Sequence, residues 1–338
     1  MHNKYRKFID EKEAPTIDKV VEQFSFRIST HMLNQIDKNN QNDPIAKQFI
    51  PSIQELNVTP EERADPIGDE LYSPVNGIVH RYPDRCLLTP VHVCPVYCRF
   101  CFRKEKVGHS SATLTKEALE AAFDYIKQHK EIWEVIITGG DPFILKPVTI
   151  QTLIQRLDEI EHVETIRFHT RVPVVEPHRI TETMISALKC NKPVYVVLHC
   201  NHPAEFTNEA KAACAALVDA GIPMLSQTIL LKDINNNIET LSELMRCFIR
   251  NRIKPYYLHQ GDLAKGTSHF RTSIAEGQAL MKQLRGRFSG ICQPTYVLDI
   301  PGGYGKTPIG PNYLSLEVEG RCQVEDFQGN IHTYPPEM

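Results

Sequence analysis

The chain has 338 residues, 41% of them hydrophobic, and a formal net charge of −3. This length permits one large domain or two ordinary ones, and the near-neutral charge argues against nucleic acid as a partner. No apolar run approaches the ~20 residues that span a bilayer, and the basic start has no apolar stretch behind it, so we predict neither a membrane segment nor a signal peptide.

Residues 1–72 are predicted to form an N-terminal helical arm. Apolar residues recur at helical spacing in two short stretches, 20–26 and 32–36. Prolines at positions 44 and 51 interrupt the region. The arm contains no residue pattern that points to chemistry, so we interpret it as a cap that could also contact a partner subunit.

From residue 86 onward, apolar β-branched runs alternate with segments of helical period. The predicted strands are 87–93, 133–138, 165–169, 194–199, 224–231, 254–259 and 295–300, and the predicted helices are 115–129, 149–160, 179–189, 207–220, 236–250 and 272–285. This alternation predicts a parallel sheet with right-handed crossovers. Six units are too few for a closed eightfold barrel. The predicted fold is therefore α/β, an open (βα)6 partial TIM barrel over 73–312, with a short tail of strands over 313–338.

Three cysteines follow the first predicted strand, at Cys94, Cys98 and Cys101. They suit three corners of a cubane [4Fe-4S] cluster, which ordinarily takes four thiolates, so one iron would stay open. An open iron can bind and reduce S-adenosyl-L-methionine (SAM) and so generate a radical. The Cys-x3-Cys-x2-Cys spacing resembles the radical SAM superfamily. A zinc knuckle or scattered core cysteines are the alternatives.

The other seven cysteines stand isolated and are interpreted as small buried hydrophobic residues. Ten cysteines in a chain of this size are typical of reduced thiols, and they predict a cytoplasmic protein rather than a secreted disulfide framework.

Gly139, Gly140 and Asp141 follow the second predicted strand. Glycines there would let the backbone approach the methionine part of SAM, and Asp141 or nearby carbonyls could receive its ammonium group. Many strands end in a similar turn, so an ordinary turn is the alternative until the cysteine loop is considered.

A second glycine-rich stretch surrounds Lys306, with Gly302, Gly303 and Gly305 just before it. The spacing differs from that of a phosphate-binding P-loop. A lysine in a glycine-lined pocket can hold pyridoxal 5'-phosphate as a Schiff base. The alternative is a solvated loop lysine.

Taken together, these motifs resemble the lysine 2,3-aminomutase family, radical SAM enzymes that also use pyridoxal phosphate. The resemblance runs from about residue 43 to about residue 313. Besides the cysteine loop it includes the segments 73–85, 171–181, 225–227, 255–263 and 289–306. So many motifs in the same order make the match specific.

The resemblance implies cofactor-binding roles for residues of this chain. The cluster ligands would be Cys94, Cys98 and Cys101. The residues that bind pyridoxal phosphate would be Lys306 as the Schiff-base lysine, Arg81 and Arg85 near the phosphate, and Tyr82 against the ring. The residues that contact SAM would be Gly139, Gly140, Asp141 and Gln227.

The resemblance also implies the substrate and the reaction. Arg103 would pair with the substrate carboxylate, and Asp262 and Asp299 would hold the ε-ammonium of L-lysine. The product would be β-lysine, formed by migration of the amino group from carbon 2 to carbon 3, and a one-electron donor such as a flavodoxin or ferredoxin would reduce the cluster. Three alternatives stay open. The first is an aminomutase that acts on arginine or, less favoured, on glutamate. The second is a radical SAM enzyme without pyridoxal phosphate. The third is a metal-binding protein without enzymatic activity.

Two departures separate the chain from the larger clostridial-type members of the family. Those enzymes carry a cysteine-rich tail that binds zinc between subunits, whereas this tail holds only Cys322. We therefore predict that this zinc site is absent and leave the form of any homo-oligomer open. His259 stands where those enzymes have tyrosine, as in the branch that supplies β-lysine to elongation factor P. The fate of the β-lysine is left open.

Overall fold

The computed structural model describes residues 5–108, 113–315, 318 and 320–336. The N-terminal arm contains three short helices, α1 (Ala14–Gln23), α2 (Thr30–Gln35) and α3 (Pro44–Phe49). The two predicted apolar stretches bury Val20 on α1 and Met32 on α2. Asp43 begins α3, because its carboxylate accepts hydrogen bonds from the first two free N–H groups of that helix.

The centre of the molecule is a nine-stranded sheet whose spatial order equals its order along the chain. Its strands are β1 (Ile78–Tyr82), β2 (Arg85–Val91), β3 (Glu134–Gly139), β4 (Thr165–Thr170), β5 (Val194–His199), β6 (Met224–Ile229), β7 (Ile253–His259), β8 (Thr295–Ile300) and β9 (Gly305–Pro308). Strands β2 to β8 run parallel to one another. Strands β1 and β9 lie antiparallel at the two edges.

Helices connect the successive parallel strands on the outside of the sheet. They are α4 (Lys116–Gln128), α5 (Pro147–Asp158), α6 (Val172–Val175), α7 (Glu182–Ala187), α8 (Asn208–Asp219), α9 (Ile238–Arg250) and α10 (Ile274–Leu284). Seven parallel strands joined by six crossovers confirm the predicted open (βα)6 partial barrel. No helix among the described residues is long and apolar enough to cross a membrane.

The sequence pattern explains this packing element by element. In β3 the run Val135, Ile136 and Ile137 is buried on both faces, as expected for a strand covered by helices on one side and by the barrel interior on the other. In α9 the buried residues Leu241, Leu244, Met245 and Phe248 recur at helical spacing and face the sheet.

The sequence did not predict the two edge strands. Strand β1 pairs with β2 through a hairpin that contains a register shift, and β9 begins inside the glycine-rich stretch. Both strands are short, with five residues in β1 and four in β9, so their pairing depends on the neighbouring strand. The Tyr82 hydroxyl of β1 accepts the backbone N–H of Lys306 on β9 at 2.7 Å, which joins the two edges across the barrel opening.

In the tail, β10 (Cys322–Glu325) and β11 (Ile331–Tyr334) form a separate two-stranded antiparallel sheet. Leu314 and Val318, which the sequence placed in an alternating strand-like run, make only isolated bridges. Leu316, the third residue of that run, lies outside the described residues.

Candidate active site

The cysteine loop follows β2 at the carboxyl end of the parallel strands. Cys94, Cys98 and Cys101 line one small cavity, together with apolar side chains such as Val96 and Val107. All three cysteines are free thiols. No other cysteine and no histidine lines this cavity among the described residues, so three thiolates would leave one coordination position for another ligand.

The surroundings of these thiols fit a metal cluster. Burial raises the pKa of Cys94 well above its usual value, and the charges of Asp141, Cys101 and Cys98 raise it further. Burial likewise raises the pKa of Cys101 to about 11. Three half-buried thiolates that repel one another need cations between them. Soft thiolate ligands suit an iron–sulfur cluster.

A buried ion network ties the N-terminal arm to the cysteine loop. The carboxylate of Glu55 accepts two hydrogen bonds from the Nε and Nη2 atoms of Arg99, at 2.9 and 2.6 Å, and a third from Lys104 Nζ at 2.9 Å. Burial alone would raise the pKa of Glu55, but the two cations hold it below its usual range. The sequence did not single out Glu55, because its cationic partners lie more than forty residues away along the chain.

Gly139 and Gly140 pack against the chain that leads into the cysteine loop. Gly139 has a φ of +110°, and a Cβ atom at Gly140 would lie 2.3 Å from the carbonyl oxygen of Val93. The N–H of Gly140 donates to the carbonyl oxygen of Val91 at 2.6 Å. The glycines therefore bring two backbone segments together at the carboxyl end of β3. Their contact with SAM stays a prediction.

Asp141 is buried, and its carboxylate already has protein partners. Oδ1 accepts hydrogen bonds from the Phe143 N–H at 3.1 Å and the Thr170 hydroxyl at 2.7 Å, and Oδ2 accepts one from the Arg171 N–H at 2.7 Å. Burial raises the pKa of Asp141, although these donors oppose the shift. The side chain thus joins the ends of β3 and β4, and less of its acceptor capacity is left for a ligand.

Lys306 and Asp299 lie opposite each other on β9 and β8. Lys306 Nζ is 2.8 Å from Asp299 Oδ1, and His259 Nδ1 is 3.3 Å from Asp299 Oδ2. Burial alone would raise the pKa of Asp299, but the hydrogen bond from His259 and the charge of Lys306 hold it below its usual range. Asp299 is therefore a buried carboxylate that stays ionised at neutral pH beside a lysine amine.

Asp262 follows β7 and provides a second carboxyl group in the same region. Its Oδ1 is buried and has no hydrogen-bond partner among the described residues. Burial, followed by the charge of Asp299, raises the pKa of Asp262 to about 7, although Lys306 opposes this shift. A buried carboxylate oxygen without a partner fits a site that receives a cation from a ligand.

Asp69, which the sequence did not single out, connects two of the predicted ligand-binding arginines. Its Oδ1 accepts from Arg81 Nη2 at 2.8 Å, and its Oδ2 accepts from Arg103 Nη2 at 2.7 Å. Burial would raise the pKa of Asp69, but the two arginines lower it overall. Arg81 Nε is buried and has no partner among the described residues, so this guanidinium keeps a donor for an anion.

Tyr82 lies close to both Lys306 and Arg85. The Tyr82 hydroxyl bonds to the Lys306 backbone, and the Arg85 guanidinium carbon lies 3.9 Å from the centre of the Tyr82 ring. Arg85 also forms an ion pair with Asp84 at 2.5 Å. The structure thus brings together the tyrosine, one arginine and the lysine of the predicted pyridoxal phosphate site.

The glycine-rich turn before Lys306 depends on left-handed backbone conformations. Gly303 and Gly305 each have a φ of +88°. A Cβ atom at Gly303 would lie 2.4 Å from the Tyr72 ring, and one at Gly305 would lie 3.0 Å from the Tyr82 hydroxyl. Glycine is therefore required for the turn to pack against these two tyrosines and to start β9 at the lysine.

Gln227 is half-buried on β6, opposite His199 on β5. His199 Nε2 lies 3.4 Å from His169 Nδ1 on β4. Burial lowers the pKa of both histidines, that of His199 to about 3, so both are neutral at physiological pH. His169 Nε2 is buried without a partner among the described residues. His199 was missed as a candidate, although its place at the end of a predicted strand was a usable signal.

Two family profiles match this chain. The profile of the radical SAM superfamily matches residues 88–245, which include the cysteine loop and strands β3 to β6. A profile described as lysine-2,3-aminomutase matches residues 281–338, which include Asp299 and Lys306. The two matches cover different parts of the candidate site.

Curated relatives align over most of both chains. An L-lysine 2,3-aminomutase from Clostridium subterminale is 39% identical over 326 residues, 96% of this chain and 78% of that protein. An L-lysine 2,3-aminomutase from Methanococcus maripaludis is 41% identical over 326 residues, 96% of this chain and 75% of that protein. A glutamate 2,3-aminomutase from Clostridioides difficile is 38% identical over 323 residues, 96% of this chain and 76% of that protein.

Proposed function

The chain belongs to the lysine 2,3-aminomutase family of radical SAM enzymes, and from this membership we propose that it converts L-lysine to β-lysine by moving the amino group from carbon 2 to carbon 3. A radical SAM enzyme works with a [4Fe-4S] cluster and SAM. The observation that supports lysine as the substrate is the pair of carboxyl groups, Asp262 and Asp299, in the region of Lys306. Identification of the product formed from L-lysine tests the proposal.

The charge of this pair distinguishes between substrates. The ε-ammonium of lysine must lose water as the site closes, and a buried cation is very costly unless it is paired. Asp299 is ionised, and Asp262 has a carboxylate oxygen without a partner among the described residues. The side chain of glutamate would bring a third carboxylate to this region, where like charges disfavour one another. Arginine carries a cation that two carboxylates could also bind, so it is the alternative to test.

We assign pyridoxal phosphate to Lys306, with Arg81 and Arg85 toward its phosphate and Tyr82 beside its ring. The buried Arg81 Nε supports this assignment, because it is a donor without a partner among the described residues. The contact of the Tyr82 hydroxyl with the Lys306 backbone supports it as well. When bound, pyridoxal phosphate would hold the substrate's α-nitrogen, while the cluster and SAM would supply the radical.

We assign the cluster to Cys94, Cys98 and Cys101, and SAM to the carboxyl ends of the strands that carry the 139–141 segment and Gln227. The small cavity lined by all three thiols supports the first assignment. In the SAM site, Asp141 would act mainly by holding the 139–141 segment against β4, because its carboxylate accepts three hydrogen bonds from the protein.

The chain's own residues would then bind and orient the substrate. Arg103 would bind the carboxylate through its planar guanidinium, which Asp69 holds in place at 2.7 Å. Asp262 and Asp299 would hold the opposite end of the substrate. Fixing both ends of a flexible chain places carbon 3 for hydrogen removal and limits side reactions of the radical. An external one-electron donor such as a flavodoxin or ferredoxin would reduce the cluster.

Borohydride reduction of the enzyme loaded with pyridoxal phosphate should leave the pyridoxyl group on Lys306. This amine lies at the end of the glycine turn, beside Asp299, and its side chain is 29% exposed. Peptide mapping by mass spectrometry makes the measurement. Lys306→Arg should abolish the label, because a guanidinium does not form the Schiff base, whereas Lys265→Arg should not. Label on another lysine would refute the assignment.

The value of kcat/KM for lysine, relative to that of a substrate without the ε-charge, should rise as the pH increases toward about 7 and level off above it. Burial and the charge of Asp299 raise the pKa of Asp262 to about 7. Below that pH the free enzyme therefore holds Asp262 protonated, and a neutral carboxyl group binds an ammonium group less well. The pH profile of kcat/KM reports the ionisation of free enzyme and free substrate.

Norleucine provides the control, because it shares the α-amino titration of lysine but lacks the ε-charge. The shared α-amino titration cancels in the ratio of the two kcat/KM values, so this ratio should rise as the pH increases toward about 7. Asp262→Asn should make the ratio flat. A ratio that does not vary between pH 5.5 and about 8, a range centred on the raised pKa, would show that Asp262 does not bind the ammonium group.

A further inference from the structure

We propose that Arg171 raises the reduction potential of the cluster by donating a hydrogen bond to the sulfur of Cys98. Arg171 Nη1 lies 2.9 Å from Cys98 Sγ, and the arginine is 6% exposed. Among the described residues, no other arginine side chain makes a hydrogen bond to one of the three loop cysteines, and Arg103 reaches Cys101 through its backbone N–H. The proposal rests on the assignment of the cluster to these cysteines and is independent of which amino acid is the substrate.

The guanidinium of Arg171 is held on several sides. Its Nη2 donates to Glu205 Oε2 at 2.7 Å and to Gln48 Oε1 at 2.5 Å, while its Nε lies 3.3 Å from the same Glu205 oxygen. The rings of Phe49 and Phe100 lie 4.8 and 5.4 Å from its central carbon. Because a guanidinium is planar and its donors form a rigid fork, these contacts also fix the direction of Nη1.

The backbone of Arg171 is fixed as well. The residue directly follows β4, and its N–H donates to Asp141 Oδ2 at 2.7 Å. Glu205 is fully buried and accepts the backbone N–H groups of Asn201 and His202 at 2.9 and 3.0 Å. The groups that orient Arg171 are thus themselves anchored to the ends of β3 and β5 and, through Gln48, to the N-terminal arm.

This arrangement favours the reduced cluster. Reduction adds one electron from the external donor, which increases the negative charge on the thiolate sulfurs. A charged donor at hydrogen-bond distance stabilises that charge, and hydrogen bonds to the sulfurs are among the factors that set the potential. Glu205 offsets much of the guanidinium's long-range charge. The directed hydrogen bond is therefore the main contribution of Arg171, and it makes the cluster easier for the donor to reduce.

The test is a redox titration monitored by electron paramagnetic resonance, on anaerobically reconstituted enzyme without SAM or lysine. In Arg171→Gln the shorter side chain cannot reach Cys98, and we expect the one-electron equilibrium to shift about tenfold toward the oxidised cluster, a fall of about 59 mV. Arg167→Gln is the matched control, because Arg167 lies on β4 and pairs with Glu134 at 3.0 Å. Its potential should equal that of the parent enzyme. An unchanged potential in iron-replete Arg171→Gln overturns the proposal.

Two further measurements keep the proposal open to refutation if Arg171→Gln does not retain iron. Arg171→Lys keeps the charge, but one ammonium group held by Glu205 and Gln48 cannot also reach Cys98, so its potential should also fall. In the wild-type enzyme, arginine labelled with 15N in the guanidinium group should show hyperfine coupling to the reduced cluster. An unchanged potential in Arg171→Lys, or no 15N coupling, contradicts the hydrogen bond. None of these measurements depends on lysine turnover. A result that rules out lysine as the substrate would therefore leave this inference intact.

Discussion

The Cys98→Ala variant should purify without a complete cluster and should not cleave SAM, while its fold persists. Cys98 is one of the three thiols that line the cavity after β2, and two thiolates are too few to hold a cubane cluster with one open iron. The substitution removes a single sulfur atom, so its cost in packing is small. Iron and sulfide analysis, together with anaerobic formation of 5′-deoxyadenosine, measures the effect.

Cys190→Ala is the matched control for this variant. Cys190 is also a half-buried free thiol, but it lies after α7, outside the cysteine loop. It should keep full iron content and the parent rate of SAM cleavage. A Cys98→Ala protein that binds a full cluster and cleaves SAM at the parent rate would show that these cysteines have another role.

Asp299→Asn should lower kcat/KM for lysine by about 10²–10³-fold. Removing one partner of a buried charge pair costs ~3–5 kcal/mol, because the other charge is left without compensation. Steady-state kinetics at saturating SAM measures the effect. Loading with pyridoxal phosphate should persist, because the substitution leaves the Lys306 amine itself unchanged.

The competing explanation is that Asp299 only stabilises the glycine turn. Its carboxylate is bonded to Lys306 Nζ and lies 3.3 Å from His259, and among the described residues it accepts no hydrogen bond from an N–H group of that turn. A variant that loses pyridoxal phosphate and SAM binding in proportion to lysine turnover would support this explanation. Asp219→Asn is the control, because it removes a carboxylate from an exposed ion pair with Arg252. It should leave kcat/KM for lysine unchanged.

Periodicity predicted the elements that are long and regular. The predicted strand 194–199 coincides with β5, and the predicted helix 236–250 contains α9. Both carry apolar residues at the spacing of their own secondary structure. Strands β1 and β9 were missed, because each is short and is formed by antiparallel pairing with the neighbouring strand, β2 or β8.

The residues proposed to bind ligands were easier to single out from sequence than the residues that hold them in place. Cysteine spacing and a lysine among glycines carry chemistry in their own residue types. Asp69, Glu55 and Glu205 are acidic residues in unremarkable stretches of sequence, and only the fold shows that each is buried against one or two cations. Such pairs join distant parts of the chain, so no local pattern marks them.

The measurement that tests the central claim most directly is anaerobic incubation of the reconstituted enzyme with SAM, a reductant, pyridoxal phosphate and L-lysine, L-arginine or L-glutamate in parallel. The account predicts β-lysine from the lysine reaction, with little or no product from glutamate, because the proposed ammonium-binding carboxyl groups of Asp262 and Asp299 would repel a glutamate side chain. Formation of a β-amino acid from glutamate and none from lysine, by an enzyme that cleaves SAM, would contradict it.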